Sequence, residues 1–156
     1  YPEHQDKLLS LLRQRDPRLA MDHLTTNQQT LCPSIFIARS LAKNGNNVYQ
    51  YHFTRMREGS EKILSYHGAE IPYVFNTHDE WLPTNEDDAQ LTEAMMEYWV
   101  EFAKKGTPNS INNPTWKEFG TEENYLILDL PLQNSSKLEN KFCEIMIDEL
   151  IQRADY

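Results

Sequence analysis

Ser65-Tyr66-His67-Gly68-Ala69-Glu70-Ile71-Pro72-Tyr73-Val74-Phe75 sets a histidine and a glycine at the junction of two unlike stretches. Before it, residues 54–66 carry charges and small residues without an apolar period and read as a loop. After it, Ile71 to Phe75 is a short apolar run, and Gly68–Phe75 reads as one or two turns of helix. On the residues alone His67 fits two descriptions. It is either a hydrogen-bonded loop histidine, the commoner fate, or a proton-transfer group, since imidazole changes charge near neutral pH. Gly68 is likewise either a tight-turn residue beside the imidazole or an ordinary helix-start glycine.

Immediately upstream, Val48-Tyr49-Gln50-Tyr51-His52-Phe53 places Tyr49, Tyr51 and Phe53 on one face at period two, the best strand pattern in the chain. His67 therefore follows a strand end across a loop, where α/β folds place functional residues. Further back the period is helical. Leu8, Leu9, Leu11 and Leu12 give residues 4–15 an apolar face that Asp16-Pro17 ends. A second helix runs from about Asp22 or Thr26 to Lys43, with Asn44-Gly45-Asn46 as its stop and a kink or restart expected at Cys32-Pro33.

Downstream, Thr84 reads as an N-cap, with Glu86, Asp87 and Asp88 placed to favour the helix dipole. The helix that follows carries Leu91, Met95, Trp99 and Phe102 on one stripe, with Ala94, Tyr98 and Ala103 at its margins, and closes at Lys104-Lys105-Gly106-Thr107-Pro108. Residues 107–123 form a surface connection pinned by Trp116 and Phe119. Asn124 to Leu130 reads as a second strand ended by Pro131. Ser136-Lys137-Leu138-Glu139 reads as a capping box opening a last helix whose buried face is Leu138, Phe142, Ile145, Met146 and Leu150. Asn134-Ser135-Ser136 matches the N-glycosylation pattern.

At 156 residues the chain has the size of one domain, and 39% hydrophobic with 25% charged residues describes a globular chain, not a disordered one. A formal charge of −9 with scattered Lys and Arg excludes a nucleic-acid partner, which needs clustered cations. No apolar run approaches the roughly 20 residues of a membrane span. His4, His23, His52, His67 and His78 are too dispersed to suggest a metal site, and no cofactor motif occurs. Taken alone, Cys32 and Cys143 are either two buried thiols or a pair. The start at Tyr1-Pro2, without a signal-peptide pattern, suggests a piece of something longer with any targeting segment upstream. Two strands so far apart cannot make a sheet of their own, so both are expected to add to a larger sheet built by sequence not shown.

The order of motifs is similar to that of the type-B carboxylesterases and cholinesterases over about residues 22–154. Leu31-Cys32-Pro33 lies in a helix and is followed by the Val48–Phe53 strand and by His67-Gly68-Ala69-Glu70-Ile71, which resembles the family's H-G-x-E-I-x-x-V-F. Trp99-Val100-Glu101-Phe102-Ala103-Lys104-Lys105-Gly106-Thr107-Pro108-Asn109 resembles the family's W-x-x-F-A-K-x-G-x-P-N. Trp116, the second strand and a final helix bearing a cysteine complete the match.

The resemblance implies an α/β fold in which residues 1–156 are the C-terminal portion of a single α/β-hydrolase domain, mainly helices plus two strands. The implied function is serine-type hydrolysis of carboxylic esters, with His67 as general base and acid. The nucleophilic serine of the G-x-S-x-G elbow, the oxyanion hole and the triad acid belong upstream, and no G-x-S-x-G occurs here. The implied partners are that N-terminal part of the same enzyme and a small ester substrate. Glu70 takes the place of a buried carboxylate beside the site, distinct from the triad acid, and His52 and His78 are structural or surface residues. Family members pair cysteines at the places of Cys32 and Cys143, which implies a disulfide and hence a secreted or periplasmic protein. Three positions depart from the pattern. Ala69 stands where cholinesterases have an aromatic walling the choline site, Asn76 replaces the usual glycine after Val-Phe, and Tyr66 is bulkier than the common residue. The alternatives are a catalytically inactive, cholinesterase-like adhesion protein, or a free-standing helical module.

Overall fold

Proline at position 33 has no N–H to donate, and its ring collides with the carbonyl four residues back. In the computed structural model, which describes residues 4–154, the helix widens just ahead of it. Helix α2 (Ala20–Thr26) passes through a π-helical turn (Asn27–Leu31) into α3 (Cys32–Lys43), with Pro33 in the first turn of α3. The carbonyl at risk, that of Gln29, lies inside the widened turn, so the expected interruption at Cys32-Pro33 takes the form of a π turn. Gly45 (φ +78°) ends α3, and the Asn44 and Asn46 side chains donate back to the Ser40 and Leu41 carbonyls.

Two compact units emerge, one from the chain ends (through Asn46, and from Lys137) and one from Asn47–Ser136. The first unit holds α1 (Gln5–Leu12), α2, α3 and α6 (Asn140–Ala154). Its core is Leu8, Ile35, Ala38, Phe142, Ile145, Met146 and Ile147, closed by a Cys32–Cys143 disulfide whose two residues are fully buried. Leu150, expected on the buried face of α6, is 41% exposed, and Leu138 precedes the helix.

The second unit contains β1 (Gln50–Phe53), α4 (Ile71–Phe75), α5 (Glu86–Lys105), β2 (Asn124–Leu128) and β3 (Gln133–Ser136). Strands β1 and β2 pair in parallel, with Gln50 opposite Tyr125 and Phe53 opposite Leu128. The two strands read from the sequence thus pair with each other directly, on either side of the long crossover through α5. The third strand was not expected. Residues Gln133–Ser136 return antiparallel to β2, with Ser136 opposite Asn124, so the chain makes a three-stranded mixed sheet of order β1-β2-β3. This overturns the capping box at Ser136. That residue ends β3, Lys137 (φ +58°) and Glu139 (φ +49°) are left-handed, and α6 starts only at Asn140.

Helix α5 is capped one residue later than expected. Asn85, not Thr84, accepts from the Asp88 N–H while the Asp88 carboxylate accepts from the Asn85 N–H, and Gly106 (φ +72°) closes the far end. Its buried stripe is Asp88, Leu91, Met95 and Tyr98, whereas Trp99 is half-buried and Phe102 is exposed. Trp99 and Phe102 instead line an open aromatic groove of about 170 Å³ with Tyr49, Tyr51, Tyr98, Pro108 and Trp116. Trp116 anchors this side of the unit. Its indole N–H donates to the Gln50 carbonyl at 3.0 Å and its ring meets Tyr49, Tyr51, Tyr98 and Trp99.

Candidate active site

The loop bearing His67 leaves the sheet at the C-terminal end of β1, where Thr54 N–H still donates to the Leu128 carbonyl. Two local bonds shape the turn around the histidine, from Ala69 N–H to the Tyr66 carbonyl and from Ile71 N–H to the Gly68 carbonyl. Gly68 sits at φ +85°, where a side chain costs about 1–2 kcal/mol, so of the two readings of this glycine the structure supports the tight turn. The His67 side chain is exposed, while Ala69 is buried and Glu70 half-buried. Burial, and then the negative charge of Glu70, push the Tyr51 hydroxyl up.

Helix α4 ends at Asn76, whose φ of +51° is left-handed. Asparagine is the residue best tolerated there after glycine, so Asn76 fits this left-handed position.

Beneath the loop the packing is close. A cavity of only about 10 Å³, bordered by Phe53, Arg55, Arg57, Ser60, Leu64 and Tyr66, leaves room for one water at most. Arg57, 6% exposed, donates to the Leu82 carbonyl (3.2 Å) and to Asp79 (3.2 Å). The Tyr66 ring, just before His67, packs edge-on to Trp81 at 5.6 Å.

A second cluster centres on Asp88, which is fully buried. Its Oδ1 accepts from Arg55 Nε and from the Tyr73 hydroxyl, both at 2.7 Å, and its Oδ2 accepts from the Asn85 N–H at 3.0 Å. Burial alone would raise the pKa of this carboxyl, but the Arg55, Asn85 and Tyr73 hydrogen bonds outweigh it and the group lies below the ordinary carboxylate range. The acidic first turn of α5 is the only sequence signal for this residue, and it points to dipole and cap roles rather than to a buried carboxylate.

His78 belongs to the same cluster. Thr92 spends its single hydroxyl proton on the Asp88 carbonyl (2.7 Å), so the 2.7 Å contact between Thr92 Oγ1 and His78 Nε2 requires the proton on Nε2. Nδ1 is then a bare lone pair, buried with no partner among the described residues. Burial, followed by the nearby Arg57 cation, lowers the His78 pKa against the opposing pull of Asp88 and Asp79, and the ring packs edge-on to Tyr73. The folded protein thus keeps His78 neutral where the unfolded chain takes up a proton below about pH 6.5, so stability falls as the pH drops through that value. His78→Gln removes the titration while retaining a donor. The expected result is that the wild type loses about 2–4 °C more in melting temperature than H78Q between pH 7.5 and pH 5. A gap that stays constant across that range rules the effect out.

Of the other expected site residues, Cys32 and Cys143 are paired with Cα atoms 4.9 Å apart. The Asn134 amide is engaged on both sides, accepting from Lys117 N–H (3.0 Å) and donating to the Thr115 carbonyl (2.8 Å). Among the described residues no group of His, Cys, Asp and Glu could hold a metal ion, and no helix is long and apolar enough to cross a membrane.

The Carboxylesterase family profile matches residues 9–146. Carboxylesterase 1E of Rattus norvegicus is 31% identical over 114 residues, which cover 70% of this chain and 20% of the relative. The medium-chain fatty acyl-CoA hydrolase precursor of Anas platyrhynchos is 29% identical over 116 residues, covering 71% and 21%. Cocaine esterase of Homo sapiens is 41% identical over 66 residues, covering 41% and 12%. The chain spans about a fifth of the length of the first two relatives. With the profile matched across nearly all of its residues, the chain belongs to the carboxylesterase family.

Proposed function

We propose that this chain is the C-terminal part of a serine-type carboxylic ester hydrolase and that it contributes the catalytic histidine. The observation that carries the reading is the presentation of His67. In a chain of the carboxylesterase family, this imidazole stands exposed on a tightly packed turn beside a positive-φ glycine, at the C-terminal end of a parallel strand. A companion N-terminal segment would supply the serine, the oxyanion hole and the triad acid. Neutral His67 takes the serine proton as the hydroxyl oxygen attacks the ester carbon, then returns it to the departing alcohol. It next takes a proton from the water that cleaves the acyl-enzyme.

Large apolar side chains lie open in the same unit, with Phe75 68% and Trp81 62% exposed, and this supports a companion segment that covers them. The buried disulfide supports an oxidising compartment, hence a secreted or periplasmic protein.

The test is hydrolysis of short p-nitrophenyl esters. The complete protein is expected to turn them over, and residues 1–156 alone are expected not to. A complete protein no faster than buffer would favour the inactive, adhesion-type relative.

A further inference from the structure

Three bonds in the Asp88 cluster have a geometric property that the His67 reading leaves unused. Arg55 lies two residues beyond the end of β1, where the loop begins, and Tyr73 lies in α4, where the loop has ended. Both reach Oδ1 of one carboxylate at 2.7 Å, and that carboxylate is fixed to the first turn of the 20-residue helix α5. A second Arg55 donor, Nη2, meets the Asn85 cap at 3.0 Å. The two ends of the segment bearing His67 are therefore clamped to one point on a rigid helix. The buried carboxylate holds because hydrogen bonds fill its acceptor positions, and loss of Arg55 or Tyr73 would leave Asp88 desolvated and short of a donor, whereas Arg55 also pairs with Asp87 and Asp129 at 3.6 Å.

We infer that Asp88, with Arg55 and Tyr73, is a positioning residue for His67: by tying the start and the end of residues 55–73 to α5, it sets where the imidazole stands. The inference rests on the reading of His67 as the base. A base misplaced by about 1 Å loses rate without losing substrate affinity, so the signature is a fall in kcat at constant KM.

Four variants of the complete protein test it. Asp88→Asn removes the charge, and Tyr73→Phe removes one hydroxyl, so it reports even if D88N does not fold. His67→Ala gives the floor. Tyr98→Phe is the control, since Tyr98 is also buried on α5 but its hydroxyl bonds the Pro114 carbonyl, away from the loop. D88N is expected to lower kcat about 30-fold and Y73F about fivefold, with KM within about twofold. Amide exchange across residues 64–70 is expected to quicken about tenfold in both. Y98F is expected to leave kcat within about twofold even where it lowers the melting temperature. If H67A is inactive while Y73F and any folded D88N keep wild-type kcat, the positioning role is overturned and the role of His67 survives. If Y98F lowers kcat as much as Y73F, the effect is general softening of the fold and the inference also fails. Activity of H67A within tenfold of wild type removes the base, and this inference with it.

Discussion

His67→Ala is expected to lower kcat on a p-nitrophenyl ester by about a thousand- to ten-thousandfold in the complete protein, with KM changed by no more than about threefold. The asymmetry follows from what the imidazole does. A serine hydroxyl is a poor nucleophile until a base removes its proton during attack, and that service is used in the transition state rather than in substrate binding. Within this chain the side chain is exposed, so its removal opens no cavity in the chain's own core. Stopped-flow and steady-state rates on wild type and variant, with denaturant curves for both, decide the matter. A variant within tenfold of wild type would take His67 out of the mechanism.

The second large effect is on stability. The Cys32–Cys143 bridge closes a loop with a sequence separation of 111, for which the chain-entropy relation gives roughly 4–5 kcal/mol. Small proteins are stable by only about 5–15 kcal/mol, so a change of that size moves a protein most of the way to unfolding. Replacing both cysteines by alanine avoids burying unpaired thiols among Ile35, Phe142, Ile145 and Met146. The double variant is expected to lose most of that estimate in a urea titration, and dithiothreitol is expected to do the same to the wild type. Loss of less than about 1 kcal/mol in both experiments would show that the α3–α6 contact holds without the bridge.

Much of the architecture could be read before any coordinates, because its signals are local. The alternation from Val48 to Phe53, the glycine stops at Gly45 and Gly106, the proline at position 33 and the His67-Gly68 turn each act within a few residues of themselves. Strand β3 could not be read this way. Gln133-Asn134-Ser135-Ser136 has no β-branched or aromatic residue, and it is a strand because its backbone pairs with β2. The phase of α5 departs from its apolar stripe for a related reason. Trp99 and Phe102 are as apolar as core residues, but they line the groove beside Tyr49 and Tyr51 while Tyr98 takes the buried place.

The site divides along the same line. The proposal for His67 comes from the residues next to it. Asp88 sits among Glu86 and Asp87 in a first turn where any carboxylate suits the dipole, and its partner Arg55 is 33 positions away. Nothing local distinguishes the one buried acid from its two exposed neighbours.

Strand β1 has β2 on one side and, among the described residues, no strand on the other. An open row of backbone donors and acceptors invites any extended chain that passes, including another copy of itself. With Phe75 and Trp81 uncovered in the same unit, that bare edge is a second surface on which a chain can associate wrongly before it is covered.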